Sequence, residues 1–485
     1  MSLASKAVSG AAWNLIGGTG SRIVALIGTL VLTRFIAPGE YGEIMVASVT
    51  IITAMVVTDV MVSQSIVARR VGPDVCFHAF VLHMGTGVVG LLAAVLLATR
   101  IGAAFDAPTM ARFVPGFALA ALLERLAHVP GRVLVRDLRF RTVAMTRGTA
   151  ELAFTGVALA LAPTMHGQAI VVGNLVRWAL ICAVYVRRVG LREWWVPQPL
   201  QWSVFRGLLA YGLPITAAAL AEFASANWDN LLVARFFGTS TAGAFRLSRN
   251  LADTPGTNVA EHMSDVLLPS FSMMDPARRN DALVRASSII ALIIVPLCIG
   301  LAAVAPTLVH TLFDKRWGEM APMLMVLSSL AFIRPVAWPL NTFLQAQQRP
   351  RTLMLLAFLK VGTMVLLMVT VGRIGPLWAC LAVSLASAVN GLVSLLVVQK
   401  LDGVPARDFL QGAFRPVLAS IPMFGAVFAL RLSLVRLGID RTWTSLVLEV
   451  LVGAAVFVLA ALVVARPTVD DSLLLMRKAM TRRAA

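Results

Sequence analysis

The sequence predicts an all-α integral membrane protein with about fourteen transmembrane helices. Hydrophobic residues make up 58% of its 485 positions and charged residues only 14%, while mean hydropathy is +0.83, values that do not suit a water-soluble surface. Apolar stretches of about 20 residues, each long enough to cross a hydrocarbon core, recur between residues 11 and 465. Lys and Arg are also concentrated in alternate loops between these stretches.

The predicted spans are joined by short loops. They cover residues 11–36, 40–67, 76–99, 109–130, 142–163, 166–187, 207–236, 241–270, 286–311, 320–345, 352–372, 375–399, 415–436 and 444–465. This even number of spans predicts that both termini lie on one side of the membrane. Of the 42 Lys and Arg residues, 24 lie in loops on that side and 8 in the opposite loops, so the positive-inside rule predicts cytoplasmic termini.

Composition and spacing argue against several classes of site. The net charge of +18 is spread through short loops instead of lining one face, so we expect no nucleic-acid partner. No His or Cys pair has metal-ligand spacing, and we predict no metal site. The chain has no G-x-x-x-x-G-K-[ST] phosphate loop. Loops of about 20 residues at most leave no room for the large outer domain of a membrane glycan-assembly enzyme.

A weak internal repeat suggests a duplicated six-helix unit. Sliding the chain by 201 residues aligns residues 31–42 with 232–243 and matches Arg34 with Arg235, Phe35 with Phe236 and Gly42 with Gly243. We therefore predict an N-lobe of six spans over 1–187 and a C-lobe of six spans over 207–400. An interfacial linker rich in Trp and Arg joins them over 188–206, and residues 401–485 hold two further spans and a cytoplasmic tail.

Cations inside the predicted spans are the main functional signal, because an ionised group at the bilayer centre costs about 2.5 to 3.5 kcal/mol on insertion scales. Arg22, Arg177, Arg334 and Lys360 fall near mid-span, and Arg147 lies about two turns from the cytoplasmic side. Snorkelling and helix-to-helix ion pairing are alternatives for each of these residues, and Arg147 and Glu151 can neutralise each other.

The eighth predicted span carries a polar stripe on one helical face, at spacings of three or four residues. Its members are Arg246, Arg249, Asp253, Thr257, Glu261 and Asp265. Thr254-Pro255-Gly256 interrupts the stripe midway. The backbone hydrogen bond lost there is tolerable only if this part of the helix faces a cavity or another helix. A helix lying on the membrane surface is the alternative, although it would break the alternation of loop charge.

Carboxylates in the spans are fewer, and we consider Asp59, Glu222, Asp229 and Asp253 as sites of ion coupling or as structural charges. A cavity dominated by arginine favours phosphate, since guanidinium binds phosphoryl oxygens in a bidentate manner and keeps its charge. The predicted substrate-binding set is Arg22, Arg147, Arg177, Arg246, Arg249, Arg334 and Lys360. We expect no cofactor, with proton or sodium coupling left open.

Two segments resemble a known family. Residues 10–14 (GAAWN) and 32–42 (LTRFIAPGEYG), followed by Asp59 and Ser63-Gln64, are similar to the polysaccharide transporter family of the MOP superfamily, the Wzx-type flippases. Residues 227–238 (NWDNLLVARFFG) and 242–245 (AGAF) resemble the start of that family's second lobe, with Ala234 and Phe245 where Gly and Tyr are usual.

This resemblance implies two six-helix lobes in a V around a cationic cavity, as in MATE-like proteins, with two additional C-terminal helices. It implies translocation of undecaprenyl-pyrophosphate-linked oligosaccharide repeat units across the bacterial inner membrane. Lipid-linked oligosaccharide and membrane lipid are then the expected partners, with a polysaccharide polymerase and co-polymerase as further candidates. A lipid II-type flippase, an ion-coupled small-molecule exporter and a membrane enzyme of glycan assembly are the alternatives.

Overall fold

The helices follow the apolar stretches of the sequence closely. The computed structural model describes residues 24, 27–59, 73–137, 139–438 and 442–471, and these residues contain helices but no strands. In chain order the helices are α1 Pro38–Thr58, α2 Pro73–Leu96, α3 Ala98–Ala104, α4 Val114–Arg136, α5 Phe140–Met165, α6 Gln168–Val189, α7 Trp202–Met273, α8 Pro276–Leu312, α9 Met320–Leu330, α10 Ile333–Ala346, α11 Pro350–Thr370, α12 Pro376–Asp402, α13 Ala406–Arg436 and α14 Trp443–Val464. Proline occupies the first turn of α1, α11 and α12, where its missing N–H costs no helical hydrogen bond.

Eight of these helices are long and apolar enough to cross a membrane within the described ranges: α1, α2, α6, α8, α11, α12, α13 and α14. The number rises to ten if a bent pair within α7 and the pair α9 and α10 each count as one span. Helices α4 and α5 also coincide with predicted spans, but they carry charged residues well inside their length, among them Glu124, Arg125, Arg147 and Glu151. The chain is therefore a multi-pass helical membrane protein, and the total of about fourteen spans stays a prediction.

The described residues form two compact units that divide between Gly243 and Ala244. In the first unit, α4, α5 and α6 pack around Leu134, Ala150 and Tyr185. In the second unit, α7, α8, α10 and α12 enclose a core that includes Phe271, Leu283 and Phe343. The sequence-based lobes 1–187 and 207–400 use a different boundary and stay a prediction.

The segment predicted as an interfacial linker is partly integrated into the first unit. Trp194 is only 2% exposed and packs edge-on against Phe80 at a centroid distance of 5.0 Å, whereas Trp202 is exposed. All four cysteines are buried, and none of them forms a disulfide bond.

Helix α7 is broken at Gly238, where φ is 81°, and not at Thr254-Pro255-Gly256. Beyond the break, residues 239–243 meet the start of α1 within the first unit. A methyl group added to Gly42 would collide with the carbonyl oxygen of Thr239, and one added to Gly243 would collide with the carbonyl oxygen of Pro38. The two glycines matched in the internal repeat thus allow the two backbones to touch.

We predict that Gly42→Ala lowers the free energy of unfolding in detergent by about 1 to 3 kcal/mol, because the added methyl group overpacks the contact with Thr239. Thermal unfolding of the purified protein measures this change. The matched control is Gly156→Ala, since Gly156 lies within α5 and has no atom within 4 Å of an added Cβ. Equal melting temperatures for the two variants would contradict the close backbone contact.

Candidate functional site

In the second unit, the polar stripe of α7 contributes to a partly buried ion-pair cluster. Arg249 is 5% exposed, and Asp253 follows it by one helical turn on the same face. Asp253 Oδ2 lies 3.0 Å from Arg334 Nη1 and 3.6 Å from Arg249 Nε. One carboxylate therefore neutralises two guanidinium groups from two helices, and the cluster keeps a net positive charge.

Close packing of α7 on α10 brings Arg334 to this carboxylate. Gly256 lies directly against the ring of Pro335, and any side chain at this position would collide with that ring. Pro335 follows Arg334 in α10, so the same contact that joins the helices also sets the position of the guanidinium. The Pro-Gly pair of the stripe thus serves helix packing, which is one of the two explanations that the sequence left open.

Arg177 of α6 occupies an equivalent ion pair in the first unit. Its Nη1 lies 3.4 Å from Glu151 Oε2 on α5, and its Nη2 donates to Asn174 Oδ1 at 2.5 Å. The guanidinium carbon also lies 5.3 Å from the ring centroid of Phe154, within cation–π range. Glu151 is therefore paired with Arg177 and not with Arg147, its neighbour one turn earlier in the chain.

The other predicted cations occupy less enclosed positions. Arg147 is exposed on α5, while Arg246 on α7 and Lys360 on α11 are half-buried. Arg22 lies outside the described residues. The structure thus brings Arg249 and Arg334 together, and a chamber shared by all seven cations stays a prediction.

The predicted carboxylates differ strongly in their surroundings. Asp59 follows the end of α1, and its Oδ1 lies 3.4 Å from His83 Nδ1 on α2. Asp229 is fully buried in α7 and accepts hydrogen bonds from the backbone and side-chain nitrogens of Asn230, both at 2.9 Å. Glu222 lies about two helical turns before Asp229 on α7 and is exposed. Asp253 belongs to the ion pairs described above.

Sequence reasoning missed a buried cluster around Arg125. This side chain is 0% exposed, and it donates to the carbonyl oxygens of His83 and Met55, each at 2.8 Å, and to Thr58 Oγ1 at 2.5 Å. The partners lie on α1 and α2, at least 42 residues away in the chain. Its place inside a predicted span was the available signal.

Comparison with known proteins identifies the family. Residues 31–322 match the model of a family described as "Polysaccharide biosynthesis protein". The chain belongs to this family. It is 24% identical over 442 residues to the lipopolysaccharide biosynthesis protein WzxC of Escherichia coli (strain K12), covering 89% of this chain and 88% of that protein.

Two other similarities agree with this assignment. The succinoglycan biosynthesis transport protein ExoT of Rhizobium meliloti (strain 1021) is 24% identical over 343 residues, covering 68% of this chain and 67% of that protein. The lipid II flippase MurJ, in an inward closed conformation, has a similar fold, with a TM-score of 0.77 at 14% identity over 94% of this chain and 99% of that chain. The predicted resemblance to Wzx-type flippases is confirmed.

We predict that Asp253→Asn destabilises the second unit of this family member. Arg249 would remain buried beside Arg334 without their shared negative charge, and we expect a loss on the order of 2 kcal/mol, less than for a fully buried pair because the Asp253 side chain is 29% exposed. Thermal unfolding in detergent measures this loss.

The matched control is Asp314→Asn in the loop before α9. The hydrogen bond from Arg316 lowers the pKa of Asp314, but this pair is exposed, so its removal should leave the melting temperature unchanged. If Asp253→Asn melts together with Asp314→Asn, the two guanidinium groups do not depend on the Asp253 carboxylate.

Proposed function

We propose that this protein flips undecaprenyl-pyrophosphate-linked oligosaccharide repeat units across the bacterial inner membrane, for the assembly of exopolysaccharide, capsule or O antigen. Its family membership supports this proposal, as do relatives named for lipopolysaccharide biosynthesis and succinoglycan transport. The observation that carries it is the excess of guanidinium over carboxylate in the membrane helices, of which the Arg249, Asp253 and Arg334 cluster is the clearest example.

The charge balance of this cluster favours a diphosphate as cargo. Two guanidinium groups share one carboxylate, so a ligand with several phosphoryl oxygens can accept hydrogen bonds from both and bring more negative charge than Asp253 alone. Before the ligand binds, the carboxylate limits the cost of holding two cations in the membrane. Glu151 serves the same purpose for Arg177 in the first unit.

The mechanism that we propose is alternating access through an arginine-rich central cavity. In the inward-open state the diphosphate binds to cavity cations, the glycan occupies the hydrated cavity and the prenyl tail stays in lipid. Rocking of the lobes then opens the cavity to the outside. The cations assigned to this cavity are Arg22, Arg147, Arg177, Arg246, Arg249, Arg334 and Lys360.

Transport rather than catalysis is the proposed activity, with both termini in the cytoplasm. A polysaccharide polymerase and co-polymerase would use the exported repeat units. A cation exporter would favour carboxylates in its cavity, which the excess of arginine opposes. Glycosyl transfer by the purified protein in vitro would instead identify a membrane enzyme.

We predict that Arg334→Ala abolishes polymer export and makes the lipid-linked oligosaccharide accumulate on the cytoplasmic side, because the diphosphate loses one of its two guanidinium groups at Asp253. Arg22→Ala should have the same effect on export. Complementation of a deletion strain, with extraction of lipid-linked sugars and measurement of protein level in the membrane, tests both variants.

Arg316→Ala is the matched control, since this arginine is exposed beside Asp314 in the loop before α9. It should export polymer at the wild-type level. Normal export by Arg334→Ala or Arg22→Ala at ordinary protein levels would remove that residue from the substrate-binding set.

A further inference from the structure

Buried His83 and half-buried His128 form a site in the first unit that the proposed diphosphate binding does not use. His83 on α2 is 5% exposed, and its Nδ1 lies 3.4 Å from Asp59 Oδ1 at the end of α1. Its ring stacks on the ring of His128 from α4, with centroids 4.6 Å apart and planes inclined by 28°. The His83 ring thus contacts both the Asp59 carboxylate and the His128 ring inside a membrane protein.

The outer nitrogens of both rings lack hydrogen-bond partners. Neither His83 Nε2 nor His128 Nε2 is bonded within the part of the chain that the structure describes, although both atoms are buried. A buried polar nitrogen left unsatisfied is costly and uncommon in folded proteins. Each therefore retains the capacity to bind a proton or a water molecule.

A metal ion does not explain this cluster. Across the described ranges, no three His, Cys, Asp or Glu side chains are arranged to hold a metal, and stacked rings direct their nitrogens past each other instead of toward a common point. A proton fits better, because imidazole is the side chain whose charge changes near physiological pH. Stacked imidazoles repel when both are charged, so the pair would take up one proton, stabilised by Asp59.

The charged groups around the histidine pair oppose the uptake of more than one proton. Arg125 donates hydrogen bonds from its two Nη atoms to His83, Met55 and Thr58, and its guanidinium stays charged, so it acts as a fixed cation. The other charged groups whose fields reach the cluster or its neighbours are Glu124 and Arg132 on α4, Arg147 on α5 and Arg177 on α6. Helix α7 contributes an uncharged group, the Thr216 hydroxyl.

The cluster is also connected to the contact between α1 and α7. The carbonyl oxygen of Asp59 accepts a hydrogen bond of 2.5 Å from Thr216 Oγ1. Farther along the same two helices, Trp228 Nε1 donates to Thr53 Oγ1 at 3.3 Å, and Gly42 touches Thr239. The residue whose carboxylate faces His83 therefore also holds one end of this antiparallel helix contact.

We propose that Asp59, His83 and His128 form a proton-binding site through which a transmembrane proton gradient drives translocation. Protonation cancels charge beside the end of α1 and changes the strength with which Asp59 holds that end in place. The contact between α1 and α7 is the element that responds. This inference rests on the proposed flippase function and names its coupling ion.

Histidine NMR of the full-length protein in lipid nanodiscs tests proton binding without any cargo. With all six histidines labelled with ¹⁵N, His83→Gln and His128→Gln assign the two signals. We expect the signals of both rings to change together as the pH is varied over the range in which the protein stays folded, because the pair shares one proton. If neither His83 nor His128 changes its signal over this range, the proposal is wrong.

Transport in proteoliposomes tests the coupling itself. The probe is undecaprenyl pyrophosphate carrying a fluorescent sugar, and a membrane-impermeant quencher reports its distribution between leaflets. A gradient of one pH unit should shift that distribution in the wild type, by at most about tenfold for each coupled proton. The ratio of the leaflet distributions measured with and without the gradient should fall to one in His83→Gln and in His128→Gln. In His310→Gln this ratio should equal that of the wild type.

The outcomes separate this inference from the proposed function. A wild-type protein that equilibrates the probe without responding to the gradient would overturn proton coupling and leave the flippase function intact. Gradient dependence that persists in both histidine variants would exclude this site. Failure of the wild type to move the probe would count against the proposed function, and the NMR titration would still decide whether the site binds a proton.

Discussion

An ionised side chain inside a bilayer needs an opposite charge or water, and this constraint organises the described parts of the protein. Carboxylates provide the opposite charge for several buried or half-buried guanidinium groups. Asp253 holds Arg249 and Arg334, and Glu151 holds Arg177. The pair of Asp253 with Arg334 and the pair of Glu151 with Arg177 each join two helices. The groups that carry charge into the membrane therefore also determine how α7 meets α10 and how α5 meets α6.

Two kinds of buried arginine follow from this constraint, and they differ in what they can do. Arg125 is bound by carbonyl and hydroxyl oxygens, which cannot leave without breaking the helices that carry them. Arg249, Arg334 and Arg177 are bound by carboxylates, which a phosphate can replace with little change in the backbone. The first kind is suited to fix a framework, and the second kind is suited to receive an anionic ligand.

The helices could be predicted from the sequence because hydropathy and periodicity are local properties. Where the structure describes them, the predicted spans lie largely on helix, although the span predicted over 320–345 is divided between α9 and α10. The ion pairs could not. Arg334 lies 81 residues from Asp253, and Arg177 lies 26 residues from Glu151. The local alternative for Glu151 was Arg147, but a neighbouring helix supplies a partner that no spacing rule reveals. The stacking of His83 on His128 depends in the same way on the packing of α2 against α4.

The contact between the start of α1 and residues 239–243 affects how readily these two segments can separate. Gly42 faces the backbone of Thr239, and Gly243 faces the backbone of Pro38, so the contact is the same from both sides, like the isologous interface of a homodimer. Main-chain atoms meet at these four positions, so the approach of the two segments there requires no change of rotamer. The two segments can therefore separate and meet again without the loss of side-chain entropy that a contact between long side chains would cost each time.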